Sequence, residues 1–249
     1  MQQGRLYNTD GHPVSSEQRA DTFAQHLATV QWRVRQVTLV PDVSPAIHPP
    51  LPVKEDQFST AELLKAIASM KRNKAVKKND VPAEAYKALA TERGIAFDWV
   101  LDFCNLCWSS KSVPQEWATV SVAMIYKNGD PGFCDNYRPI CLLSIASKVF
   151  SAMLKQRLLD AGIDDVLWPL QFGFRKGCST EDAIFIARRR IELARAQRNG
   201  SVSLLALDWA KAFDSINVTS LLDALRRAGL PNAFLTMLQG MLAARTFYV

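Results

Sequence analysis

Histidine is scarce in this chain of 249 residues: His12, His26 and His48 are the three, all before residue 49. A histidine-built metal centre or a Ser/His/Asp relay in the later chain is thereby excluded, and no Gly-rich phosphate loop or GxSxG elbow is present to suggest hydrolysis. Cysteine is sparse as well, with Cys104, Cys107, Cys134, Cys141 and Cys178 scattered. Cys104 and Cys107 have CxxC spacing, but no second pair or His cluster stands at ligand spacing. Two small core residues at i and i+3 of a helix are favoured over zinc or redox use. No apolar run approaches the roughly 20 residues of a membrane span. The start Met1-Gln2-Gln3-Gly4-Arg5 is polar rather than signal-like. The expectation is an intracellular, nuclear or cytoplasmic protein with reduced thiols, neither secreted nor membrane-bound.

Hydrophobic residues make up 48% of the chain, enough for a core, and 30 Lys+Arg against 24 Asp+Glu leave a net charge of +6. That balance suits a polyanionic partner without requiring one. Capping-box spacings at Ser15/Gln18 and Ser59/Glu62 predict helices over residues 16–30 and from 60 onward. Between them, Pro41, Pro45, Pro49, Pro50 and Pro52 rule out regular helix and predict an extended linker with a boundary inside it. The second helix runs into the basic cluster 71–78, readable as a solvated helix end or as a nucleic-acid contact. Further helices are expected over 83–93 and 96–110, ended by Gly94 and by the turn at Pro114.

Short apolar runs at 119–125 and 140–143 flank Asn128-Gly129-Asp130-Pro131-Gly132 and predict a β-hairpin. Lys127 would end its first strand and Arg138 open its second, bringing both cations to the open tip. There they are either ordinary exposed residues or a grip for a triphosphate, Lys as a point charge and Arg as a fork. A helix follows over 144–162, then the Gly-punctuated basic loop 171–180, then a helix capped by Ser179 and Asp182. On that helix Arg188-Arg189-Arg190 reads more readily as a solvated edge than as a binding face. Residues 201–207 are almost wholly apolar and read as a buried strand leading into Asp208. A carboxylate there is either a turn cap or a group held for metal or acid–base chemistry, since desolvating an unpaired charge is costly. A last clear helix is expected over 218–228 with Leu221, Leu222 and Leu225 buried, and residues 232–249 read as helix-prone.

Five motifs stand in a fixed order: Asn73-Lys74-Ala75 with Val81-Pro82-Ala83-Glu84; Ile125-Tyr126-Lys127 with Gly129-Asp130-Pro131; Asn136-Tyr137-Arg138-Pro139-Ile140 with Leu142-Leu143; Gln171-Phe172-Gly173-Phe174-Arg175; and Ala212-Phe213-Asp214. In that order, over about residues 58–230, the chain resembles the reverse transcriptase of non-LTR (LINE-type) retrotransposons. The first helix resembles the connector that precedes the polymerase domain. The resemblance implies an α+β fold of right-hand type: a helical connector (1–40), a Pro-rich linker (41–57), helix-rich fingers with a β-hairpin (58–200) and a partial palm (201–249). It implies an RNA-directed DNA polymerase that works on an RNA template, a DNA primer and dNTPs through two Mg²⁺ ions, with Mn²⁺ as an alternative.

Carried onto these positions, the resemblance makes Asp208 the first palm carboxylate and metal ligand, with the Trp209 carbonyl beside it. Trp209, Ala212 and Phe213 would meet the nucleotide, Phe213 as a steric gate under the sugar. Lys127 and Arg138 would hold the triphosphate, Gln171 and Arg175 would contact nucleotide or template, and Asp214 would be structural. The family's paired Asp-Asp motif is expected after Val249, so this chain by itself is expected not to polymerise. The alternative is a non-catalytic nucleic-acid-binding remnant. One departure is Val76-Lys77-Lys78-Asn79-Asp80, where the family has a Pro-Gly-rich turn.

Overall fold

The first helix starts later than its serines suggest: the Ser15 amide donates to Gln18 Oε1 at 3.4 Å, yet a turn intervenes before α1 (Arg19–His26), which widens into a π-helical turn at Leu27–Gln31. The computed structural model describes residues 5–33, 45–77, 79–209, 211–243 and 245–249. Pro41, the boundary at residues 40–41, Lys78 and the start Met1-Gln2-Gln3-Gly4 lie outside the described residues.

The second capping box forms as predicted. The Glu62 amide donates to Ser59 Oγ at 3.3 Å and the Ser59 amide to Glu62 Oε2 at 2.8 Å, satisfying donors that a first turn leaves free. It opens α2 (Thr60–Ser69), which stops before the basic cluster, so that cluster is loop rather than helix end. Then come α3 (Ala83–Glu92) and α4 (Ile95–Ser110). Arg93, at φ 51°, takes the left-handed position that ends α3, and Gly94 caps the start of α4 rather than closing α3. In the departing turn, Asn79 adopts the left-handed conformation a glycine would supply (φ 64°). Its neighbour Asp80 accepts the Ile145 amide at 2.9 Å.

α5 (Gln115–Ala118) leads into β1 (Thr119–Tyr126), and a 3₁₀ turn at Cys134–Asn136 precedes β2 (Tyr137–Leu142). β2 thus starts one residue before Arg138, which is its second residue rather than its opening. Pro139 is tolerated inside it because β2 is an edge strand in the order β2-β1-β3. After α6 (Ile145–Asp160), α7 (Ile163–Val166) and α8 (Thr180–Ala196) come α9 (Val218–Arg227), α10 (Asn232–Leu242) and β3 (Thr246–Tyr248). The sequence reading has no β3; it pairs parallel with β1, Val120 opposite Phe247. Leu221, Leu222 and Leu225 are half-buried rather than buried.

The main core gathers α2, α3, α4, α6 and α10 around Phe58, Phe97, Trp108, Phe150, Met153, Phe234 and Met237. Both Cys104 and Cys107 lie in it, and burial pushes the Cys104 thiol up to about 12. The Pro-rich stretch is extended as expected, but it is a strap rather than a free linker. Leu51 and Val53 enter the core, the Leu51 amide donates to the Gly229 carbonyl at 2.8 Å, and Arg227 Nε donates to the Pro45 carbonyl at 3.0 Å. Two smaller clusters lie against the sheet: in one Leu27 meets Val120 and Val122, and in the other Phe23 packs edge-on to Tyr137 at 4.8 Å. No described helix is long and apolar enough to cross a membrane.

Candidate functional site

Two cations share one face of the hairpin. Ile125 lies opposite Arg138 and Tyr126 opposite Tyr137, and the Lys127 amide continues the ladder to the Asn136 carbonyl at 2.8 Å. Side chains alternate faces along a strand and opposed residues share a face. Ile125, Lys127 and Arg138 therefore project from the same side, Lys127 and Arg138 as diagonal neighbours roughly 7–8 Å apart. Val120 and Val122 point the other way, onto Leu27. Lys127 and Arg138 are exposed, and neither has a carboxylate partner among the described residues; Lys127 Nζ reaches only the Asp135 carbonyl, at 3.4 Å.

The loop that carries them is tied down. Asn136 Nδ2 donates to the Asp130 carbonyl at 2.7 Å, the Gly132 amide to Asp130 Oδ1 at 2.8 Å, and Tyr137 Oη to the Pro131 carbonyl at 2.9 Å. Tyr126 Oη also donates to the Gly129 carbonyl. Two unpaired cations on a fixed turn, beside the exposed apolar strip of Ile125 and Ile140, can bind an anion with several charged oxygens.

The basic loop lies elsewhere and partly serves itself. Arg175 Nη1 lies 3.4 Å from the carbonyls of Trp168, Pro169 and Gln171, and Gln171 Nε2 donates to the Gly173 carbonyl at 3.2 Å. Phe174 stands out from this loop, 91% exposed, and meets Phe213 edge-on at 5.8 Å. That contact brings the Gly-Phe-Arg motif to the Ala-Phe-Asp motif, two of the five that the sequence singles out.

Residues 201–209 correct the central expectation. They form no strand, every one is exposed, and Leu205 and Trp209 are each 79% exposed. A run with apolar side chains on both faces becomes a strand only with neighbours to pair with and layers to cover it. Among the described residues no strand flanks it, and the free side of β1 is taken by β3. Asp208 is thus a solvent-exposed carboxylate in irregular chain, Trp209 is exposed beside it, and Ala212 and Phe213 follow, both exposed, in the turn 211–215. No group of three His, Cys, Asp or Glu side chains able to hold a metal ion occurs among the described residues. One exposed carboxylate does not fit a two-ion centre.

Asp214 ties two distant segments of the chain together. Its Oδ2 accepts from Gln31 Nε2 at 3.0 Å and its Oδ1 from Trp32 Nε1 at 2.9 Å. Those donors follow α1 and were not singled out from sequence; a contact across 182 residues leaves no periodic signal. Asp135 is a second tie, 3.5 Å from His26 Nε2 and 3.6 Å from Lys211 Nζ. Burial lowers the His26 pKa, against the pull of Asp135 upward, and Lys211 lowers it further.

A mixed helix-and-sheet fold that carries the five motifs in order is consistent with a reverse-transcriptase domain. The family described as reverse transcriptase (RNA-dependent DNA polymerase) matches residues 125–248, and the chain belongs to that family. Its relatives come from non-LTR retrotransposons. A Drosophila melanogaster protein named "Probable RNA-directed DNA polymerase from transposon BS" is 26% identical over 243 residues, covering 94% of this chain and 26% of that protein. The Pol polyprotein of the type-1 retrotransposable element R1 of Bradysia coprophila is 34% identical over 133 residues, 51% of this chain and 13% of its own length. That of element R2 of Popillia japonica is 29% identical over 134 residues, 54% and 18% respectively. The chain thus spans about a quarter or less of the length of these relatives.

Proposed function

We propose that this chain is the fingers and the first palm segment of an RNA-directed DNA polymerase and that its hairpin binds the triphosphate of an incoming nucleotide. The observation that carries the reading is the hairpin register, which leaves Lys127 and Arg138 unpaired on one face of a rigid turn. Lys127 supplies a point charge and Arg138 a bidentate fork, the pairing suited to adjacent phosphates. Phe213 is the residue proposed to lie under the sugar, with Trp209 and Ala212 beside it, and Gln171 and Arg175 to touch template or nucleotide backbone. Asp208 descends from the first metal-binding carboxylate. Mg²⁺, or Mn²⁺, would neutralise charge in phosphoryl transfer once further carboxylates complete the set. With Asp208 as its one such group, the chain polymerises nothing by itself.

Two measurements test this. Purified protein with primer-template, Mg²⁺ and dNTPs should incorporate nothing; incorporation that disappears in Asp208→Ala would overturn the inactive reading. Binding of a labelled dNTP should weaken about tenfold in either Lys127→Ala or Arg138→Ala, in line with loss of one charge-assisted contact. Unchanged affinity in both variants would remove the hairpin from the site. Salt-dependent binding of primer-template without incorporation is the outcome that favours a nucleic-acid-binding remnant.

A further inference from the structure

Ile95, Trp99, Phe103 and Leu106 recur along α4 at steps of four, four and three, which sets them on one stripe. All four are exposed, Trp99 to 69% and Leu106 to 62%. On one flank of the stripe an apolar groove of about 390 Å³ runs between Trp99 and Phe103 and the side chains of Tyr86, Trp117 and Val149. On the other flank stand Asp98 and Asp102, exposed and without an ion-pair partner among the described residues. α4 has no basic residue within Ile95–Ser110, although the chain as a whole carries +6. The acidity of this face is therefore local.

α8 has the opposite character. None of its residues is buried, and Ile184, Ala187 and Ile191 form a stripe at steps of three and four. Arg188 and Arg195 flank that stripe. Arg188 is partly occupied by Glu192 at 2.9 Å, whereas Arg195 has no ion pair among the described residues. From residue 188 to 195 the helix carries four Arg against one Glu.

We propose that α4 of one copy of this chain is a docking surface for α8 of a second copy, laid antiparallel along the stripe and its groove. The α4 face offers apolar anchors over about three turns and the α8 face over about two, the pattern of a helix held in a groove, and exposed patches of this kind are otherwise a liability. The charges choose the direction. Antiparallel packing sets Asp98 and Asp102, in the first half of α4, beside Arg188 and Arg195, in the second half of α8. It also brings Glu181, in the first turn of α8, toward the end of α4, where Lys111 stands, and it opposes the two helix dipoles. The contact is heterologous, so it either closes reciprocally as a dimer or continues as an open chain.

Sedimentation velocity of the whole chain over a wide concentration range tests the proposal. Wild type should grow in mass with concentration. Asp98→Arg with Asp102→Arg should weaken association about tenfold, and so should Arg188→Glu with Arg195→Glu, because each turns attraction into repulsion. All four changes together should bring association back to within about threefold of wild type, as a direct charge partnership requires. Trp99→Ser, at a position outside the core, should weaken association without altering the circular dichroism. A monomer at every concentration, an insensitive Trp99→Ser variant, or a fourfold variant no better than its parents overturns the proposal.

Discussion

Arg157 is 3% exposed and spends every donor it has. Nε and Nη2 fork onto Glu62 at 2.6 and 3.1 Å, Nη1 donates to the carbonyls of Lys54 and Asp56, and Nη2 also donates to the carbonyl of Gln57. Five N–H groups make five bonds, and the guanidinium lies 4.1 Å from the Phe58 ring centroid. One side chain thus joins α6 to the capping box of α2 and to the Pro-rich strap. Arg157→Met should lower unfolding free energy by about 3 kcal/mol, because it strands Glu62 and three carbonyls. Arg157→Lys should recover only part of this, since an ammonium has three donors and no fork; denaturant titration reads both. Glu62 adds a pH dependence. Burial pushes its carboxyl up, but the Arg157 hydrogen bond and the Ser59 amide and hydroxyl together outweigh that and hold it below the ordinary range. A carboxyl depressed in the folded state binds its proton more readily when unfolded. Its stabilisation is therefore complete above the ordinary carboxylate pKa of about 4.3 and drains away as pH falls through the lower folded value. Glu62→Gln should flatten that acid limb of the stability curve; an unchanged limb assigns it to other carboxylates.

At the scale of elements, the hairpin shows how a glycine sets the position of two cations. Gly129 has φ +87°, and a Cβ there would lie 2.8 Å from Asn136 Nδ2, the group that ties the loop to the Asp130 carbonyl. Gly129→Ala should cost about 1–3 kcal/mol of local stability and weaken triphosphate binding, while the main helical core, which it does not touch, keeps its denaturant slope. Equal dNTP affinity in Gly129→Ala and wild type would show that loop geometry does not govern the grip. The hairpin, α2, α4, α6 and α8 were all readable from sequence because their signals are local. Ser59 with Glu62 and Ser179 with Asp182 declare helix starts within four residues, and Lys127 and Arg138 bracket a turn that announces itself. Arg157 was not readable: it sits four residues beyond Met153 on an apolar stripe, and only the strap from the far side of α2 explains a charge there. Nor was the clasp of Asp214 by Gln31 and Trp32, or the pairing of β3 with β1. In each, the deciding partner lies a hundred residues or more away.

For the whole molecule, the decisive fact is that its helical core and its small sheet are complete without residues 201–209. The sequence reads those residues as a buried strand, because an unbroken apolar run looks the same whether or not strands exist to flank it. Here Leu204, Leu205 and Leu207 are each more than 70% exposed, and no backbone hydrogen bond of residues 201–209 occurs among the described residues. Amide exchange slows only where a hydrogen bond or burial must first be broken. The amides of 201–209 should therefore exchange near the unprotected rate, while those of Val120 and Val122, inside the three-stranded sheet and packed on Leu27, exchange more slowly by orders of magnitude. Substitution should divide the same way. Leu205→Lys with Leu207→Lys should leave the unfolding free energy within about 0.5 kcal/mol, as exposed positions do, whereas Leu27→Ala, at a fully buried residue, should cost about 2–5 kcal/mol. Protection at 201–209 equal to that of β1, or a large loss from the paired lysines, would mean that the run is paired and covered in solution. Asp208 would then sit at the end of a formed strand, as the sequence first suggested, and its place in a metal site would have to be argued again from that geometry.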